Sequence, residues 1–245
     1  VEPNGFNIND NVGSVYAESM AKMVKDEQYD VGISFDGDAD RVIFSDENGE
    51  IVDGDIVMGI CARQMKEENR LNSSSIVATV MSNFGFEKSL NRCGLNVERC
   101  SVGDRYVLAK MMECGYNLGG EQSGHIIFSD FNTTGDGLVS ALQLLKVMVR
   151  TGKPLSELKN FIELCPQVLK NLKVSNKIPL EQLPETSKAI SMAEEKLNGS
   201  GRVLVRYSGT ENKIRVMTEG DDKAMITAMA DEIGEIVVKE IDSKR

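Results

Sequence analysis

The sequence predicts an α/β protein built on mixed or largely parallel sheets, followed by a small α+β C-terminal domain. Three observations carry this. Short apolar runs alternate with amphipathic helical stretches over residues 53–166, the pattern of strands joined through helices that cover the faces of one sheet. The last third instead places two β-rich runs, 202–207 and 213–218, around a polar loop and ahead of one long amphipathic stretch. Finally, 41% hydrophobic content over 245 residues is enough to bury a substantial core.

The elements follow in order. From residue 11, Val12, Val15, Tyr16, Met20, Met23 and Val24 recur at helical spacing, and Asn9, Asp10 or Asn11 can cap such a helix. Residues 31–35 form a short apolar run, read as a buried strand. Residues 41–45 and 50–52 flank Asp46-Glu47-Asn48-Gly49, a hairpin turn in which glycine can take a positive φ. Next come a helix over 55–68, a strand over 76–81, a helix over 86–93, a strand over 97–100 and a helix over 104–114. Gly94 and Gly115 suit the left-handed position that closes the two later helices. A strand around 119–128 and a helix over 136–150 complete this part. Residues 177–185, with two prolines, read as a connector or an irregular edge, and the chain ends on a helix over 223–241. The expected division is 1–52, 53–166 and 167–245.

Composition narrows the function classes. Acidic residues exceed basic ones by 38 to 28, a net charge of −10. Such a chain lacks the cationic footprint of non-specific nucleic-acid binding. Five cysteines without a CxxC pair read as reduced thiols of a cytosolic protein. The apolar runs are too short to cross a bilayer. The chain opens at Val1 in a segment that already reads as folded, so a piece of a longer protein is expected.

Three loops carry chemistry. In Asp36-Gly37-Asp38-Ala39-Asp40-Arg41, carboxylates at alternate positions follow a buried strand and would repel one another without a cation. They offer hard oxygen ligands suited to Mg²⁺ or Ca²⁺. Asp36, Asp38, Asp40 and Glu47 also fit an EF-hand spacing. That reading fails because Arg41 stands where the sharp-turn glycine belongs and β-rich runs flank the loop. Gly120-Glu121-Gln122-Ser123-Gly124-His125 holds the one histidine of the chain, with Glu121 and Ser123 suited to sugar hydroxyls. A lone histidine is usually a packed or surface residue, and the glycine-flanked polar setting favours a functional one. Arg206-Tyr207-Ser208-Gly209-Thr210-Glu211 gathers a guanidinium, hydroxyls and backbone N–H groups around a glycine. Spacing alone does not separate an anion site there from a solvated turn.

The first of these loops resembles the metal-binding DGDxDR loop of the α-D-phosphohexomutases, and Pro3 to Asn9 with Gly13-Ser14 resembles the stretch before it. The second and third are similar to that family's sugar-recognition and phosphate-binding loops, and all three occur in the family's order. The resemblance covers essentially the whole chain. It implies Mg²⁺ on Asp36, Asp38 and Asp40, with Arg41, Arg105 and His125 in catalytic roles. Glu121, Gln122 and Ser123 would bind the sugar, and Arg206, Ser208, Gly209 and Thr210 the phosphate. The turn at Gly103-Asp104-Arg105 would line the active site, although Asp104 is equally readable as a residue favourably placed at a helix N-terminus. Asn212 departs from the family, where many members have proline.

The form Gly120 to His125, with the neighbouring 102–107 and 133–137, is most similar to the branch of the family acting on glucosamine phosphates. Members acting on neutral hexose phosphates tend to have methionine in place of Gln122. The implied reaction is interconversion of glucosamine 6-phosphate and glucosamine 1-phosphate through a bisphosphorylated intermediate, in the cytoplasm, feeding cell-wall synthesis. The implied partner is a small-molecule sugar phosphate, with neither nucleic acid nor membrane, and with room for a homodimer in the full-length enzyme. The family's phosphoserine, normally in an A-S-H-N type loop, has no counterpart in these residues, so the chain alone is expected to be inactive. Gln122, whose amide both donates and accepts, is expected to favour the amino sugar. The competing readings are a phosphomannomutase/phosphoglucomutase and a non-catalytic Mg²⁺ or sugar-phosphate binder.

Overall fold

The computed structural model describes residues 4–209 and 211–244. Thr210, expected in the phosphate grip, and Pro3 lie outside them. The chain divides into two compact units, Val1–Glu163 and Leu164–Arg245.

In the first unit, α1 (Glu18–Glu27) precedes an antiparallel sheet of β1 (Val31–Phe35), β2 (Val42–Asp46) and β3 (Ile51–Val52). Gly49 takes φ +79° in the β2–β3 turn, as its position in the sequence requires. The expected helix from residue 11 is corrected to start at Glu18. Asn9, Asn11 and Gly13 have positive φ, which interrupts a right-handed helix, and Val12, Val15 and Tyr16 are exposed.

A second sheet follows the order β5-β4-β6-β7, from β4 (Ser75–Thr79), β5 (Asn96–Cys100), β6 (Leu118–Gly120) and β7 (Ile126–Phe128). β4 is parallel to β5 and β6, whereas β7 runs antiparallel to β6. The single strand expected around 119–128 is therefore a hairpin. Helices α2 (Gly54–Glu67), α3 (Phe84–Arg92), α4 (Asp104–Cys114), α5 (Gly137–Thr151) and α6 (Leu155–Lys159) complete the unit. Asp53, Asn83 and Asp136 cap α2, α3 and α5 by accepting from Ile56 N, Gly85 N and Val139 N, so each helix start is set by a short polar side chain. The fully buried Phe44, Met58, Ile76, Phe86, Leu118 and Leu144 tie both sheets and the helices into one core.

The second unit is an antiparallel sheet in the order β8-β10-β9, from β8 (Gln167–Lys173), β9 (Arg202–Tyr207) and β10 (Lys213–Glu219). With it come α7 (Pro184–Leu197) and α8 (Lys223–Ser243). Leu183, Leu197, Ile214, Val216, Ile226 and Ile233 form its core. Sequence reasoning did not anticipate β8 or α7. The signals for α7 were present, with Pro184 in its first turn and Asn198 left-handed at its end.

Candidate functional site

The acidic loop joins β1 to β2 and is tied by its own backbone. Ala39 N donates to Asp36 O at 3.1 Å, and Arg41 N donates to Asp36 Oδ1 at 3.1 Å. Oxygens of Asp36, Asp38 and Asp40 lie within 4.8 Å of one another. Asp36 is buried and Asp38 exposed. Oδ1 of Asp40 is buried and receives no hydrogen bond, with Arg41 Nε 3.6 Å away and the same Nε 3.3 Å from Asp36 Oδ2. Burial, and then the neighbouring carboxylates of Asp36 and Asp38, push the Asp40 carboxyl above its usual range, against a smaller pull from His125. An orphaned carboxylate oxygen among converging like charges fits a hard divalent cation, which would supply the missing partner.

The loop from Glu121 to His125 is the turn of the β6–β7 hairpin, closed by Glu121 N to His125 O and Gly124 N to Glu121 O. It lies directly against the acidic loop. Val42 N donates to Gly124 O at 3.2 Å, and a side chain at Gly124 would collide with Val42 O. His125 is 3% exposed, its Nε2 3.7 Å from Asp40 Oδ2. The start of α5 packs on the same loop, with Gly137 N donating to Ala39 O at 2.9 Å.

Glu121 is held by the turn before α4, where Gly103, at φ +128°, donates its N–H to Glu121 Oε1 at 2.9 Å. Ser123 Oγ donates to Glu121 Oε2 at 3.4 Å. The side chain of Gln122 takes another direction, with Nε2 donating to Asp53 Oδ2 at 3.0 Å. The expected amine-selecting donor is thus engaged within the fold. Arg105 stacks over Tyr106 and donates to its hydroxyl at 2.7 Å.

In the second unit, Ser208 is buried in the β9–β10 turn, its N–H on Lys213 O at 2.8 Å and its Oγ accepting from Glu211 N. Gly209 is open, since a Cβ there would meet nothing within 4 Å. Arg206 stands opposite Arg215 in the strand register. Burial and that second guanidinium lower the Arg206 pKa. Sequence reasoning missed Arg215, whose Nε is buried without a hydrogen-bond partner. The two-residue alternation of β10 was the signal that could have found it.

Comparison with known proteins fits this arrangement. The sequence pattern described as "Phosphoglucomutase/phosphomannomutase, alpha/beta/alpha domain III" matches residues 53–164, and that of the same family's C-terminal domain matches 169–236. The chain belongs to the phosphoglucomutase/phosphomannomutase family. It is 52% identical over 241 residues to the phosphoglucosamine mutase of Syntrophotalea carbinolica, covering 98% of this chain and 53% of that one. It is 50% identical over 244 residues to that of Geobacter metallireducens, covering 100% and 54%. The chain therefore spans about half the length of the curated relatives it matches. Among solved structures, the N-acetylphosphoglucosamine mutase of Aspergillus fumigatus, in complex with GlcNAc-6P and magnesium, superposes with a TM-score of 0.75 at 18% identity. That match covers 95% of this chain and 54% of the other. An N-acetylglucosamine-phosphate mutase in its product complex gives 0.70 at 19% identity, over 94% and 53%. At these identities the likeness to solved structures is one of fold. Among the described residues, no helix is long and apolar enough to cross a membrane.

Proposed function

We propose that the chain provides the metal, sugar and phosphate loops of a cytoplasmic phosphoglucosamine mutase, which interconverts glucosamine 6-phosphate and glucosamine 1-phosphate. The observation that carries this reading is the packing of the Asp36 to Arg41 loop on the Glu121 to His125 loop, with Asp40 beside His125. The relatives at about half identity support the choice of an amino-sugar phosphate over a neutral one. Residues 1–52 would close the second domain of the enzyme, 53–166 form the third and 167–245 the fourth.

Asp36, Asp38 and Asp40 would hold Mg²⁺, which supplies electrostatic stabilisation of charge on phosphoryl oxygens. Arg41, already turned towards Asp36 and Asp40, would orient the transferred phosphoryl group. His125, beside Asp40 in a nearly dry setting, would hold or move a proton at Nε2. Glu121 and Ser123 would take the sugar hydroxyls, with Arg105 near the turn that holds Glu121. Arg206, Ser208, Gly209 and Thr210, joined by Arg215, would hold the non-reacting phosphate through charge-assisted hydrogen bonds. The phosphoserine of the reaction would come from outside these 245 residues, in which no A-S-H-N run occurs.

The test is binding of Mg²⁺ and glucosamine 6-phosphate to the chain, together with turnover in a protein that joins it to a phosphoserine segment. Turnover of glucosamine 6-phosphate well above that of glucose 6-phosphate is expected. Equal or reversed preference would favour a phosphomannomutase/phosphoglucomutase.

A further inference from the structure

The turn that carries Glu121 and Ser123 is seated on the first residues of α2. Gly54 N donates to Gln122 O at 3.0 Å, and a side chain at Gly54 would run into the carbonyl oxygen of Glu121. Asp53 adds a second attachment. One of its oxygens caps α2 at Ile56 N and the other accepts from Gln122 Nε2 at 3.0 Å. An ionised carboxylate only accepts, so the NH₂ end of the Gln122 amide must be the end that faces it. Glu121 and Ser123 meet each other, and Gly103 N fixes the Glu121 carboxylate.

We propose that Asp53 and Gln122 are positioning residues for sugar recognition, clamping the turn onto the α2 N-terminus so that Glu121 and Ser123 keep their geometry. This rests on the sugar-phosphate reading of the loop. It departs from a direct contact between Gln122 and the amine, because the donor of that side chain is committed to Asp53. The consequence is that Gln122 serves amino and neutral sugar phosphates alike. Selectivity must then lie in other groups of the site.

The experiment uses the full chain with Gln122→Met, which keeps length and removes the donor, alongside Asp53→Ala and Glu121→Ala. Binding of glucosamine 6-phosphate and of glucose 6-phosphate is measured by calorimetry, and amide hydrogen exchange is followed at Gly103. In Gln122→Met, affinity for both sugars should fall by the same factor, about tenfold, as for the loss of a hydrogen bond to a charged group. Protection of the Gly103 N–H should fall as Glu121 loosens, while β4 amides stay protected, a pattern that general destabilisation would not give. Asp53→Ala also removes a helix cap, so Gln122→Met is the deciding variant. A loss confined to glucosamine 6-phosphate would overturn the proposal in favour of direct contact with the amine. Unchanged Gly103 protection would overturn it whatever the ligand does. If Glu121→Ala binds both sugars as the unaltered chain does, the sugar reading of the loop itself fails. If only Gln122→Met is silent, the clamp fails and that reading stands.

Discussion

Asp40 and His125 meet where two loops distant in sequence pack together, with Nε2 of the buried imidazole 3.7 Å from Oδ2 of the carboxylate. The backbone of Gly135 also lies against this ring, and a Cβ there would overlap it. The imidazole thus has both a backbone and a carboxylate as close neighbours. Gly135→Ala should force the ring to move and lower stability by about 1–3 kcal/mol, the usual cost of overpacking. Gly209→Ala is the control, because a methyl group there meets nothing within 4 Å. Thermal melting of both variants checks this, and equal melting temperatures would show that the ring shifts freely.

The acidic loop predicts metal binding that depends on one exposed side chain. Asp38 is exposed, so Asp38→Asn should change stability by no more than about 0.5 kcal/mol. It removes one of three converging anionic ligands, and Mg²⁺ affinity should fall by at least about tenfold. Calorimetric titration of wild type and variant decides it. Equal heats would move the metal away from this loop.

How far these sites were legible follows from where their physics lies. The Asp36 to Arg41 loop could be read from sequence because alternating carboxylates after an apolar strand are a local pattern. Gly49, Gly94 and Gly115 were legible for the same reason, and all three take positive φ. The partners of Gln122 and His125 were not legible. Asp53 and Asp40 are far from them along the chain, and only the docking of the β6–β7 hairpin brings them together. The helix expected from residue 11 failed because helical spacing of apolar residues says nothing about the left-handed residues between them. β8 was missed because its half-buried face of Val168, Lys170 and Leu172 includes a lysine while Leu169 is exposed, leaving a weak apolar signal.

Asp55 gives a prediction about pH. It is fully buried in the first turn of α2, accepts from Asn83 N at 2.8 Å, and has its pKa pushed up to about 7. Burial is the main cause and the nearby Asp53 adds to it, opposed by the hydrogen bonds of Asn83 and Ser82 and by Arg99. The folded pKa lies above the ordinary 3.8, so the native state binds this proton more tightly than the unfolded chain does. The resulting stability is fully present below about 3.8 and is lost as pH rises towards about 7. Asp55→Asn carries no such proton. The melting temperature of the variant relative to wild type should therefore rise between pH 4.5 and pH 8. Parallel curves across that window would mean that Asp55 is already ionised at pH 4.5.

The pairing of Arg206 with Arg215 across β9 and β10 gives the sharpest separation between an anion site and a solvated turn. Two like charges directly opposite in a sheet are unfavourable, and here they recur beside the open backbone of Gly209. If the loop were only a turn, Arg206→Ala would relieve this repulsion and leave sugar-phosphate affinity unchanged. If it grips a phosphate, the same substitution removes a charge-assisted contact of roughly 1.5–3 kcal/mol. That corresponds to a loss of about tenfold to a hundredfold in sugar-phosphate affinity. Stability should stay within about 1 kcal/mol of wild type or rise slightly, because the lost repulsion offsets the lost packing of the stem. Arg206→Lys should restore affinity only in part, since an ammonium returns the charge without the planar fork. Arg215→Ala should weaken binding in the same direction, as the second guanidinium adds to the field on the same anion. Affinity is to be measured at fixed ionic strength, with melting curves for all three variants. Wild-type affinity in both alanine variants would leave the β9–β10 turn without a ligand and remove the phosphate grip from the second unit.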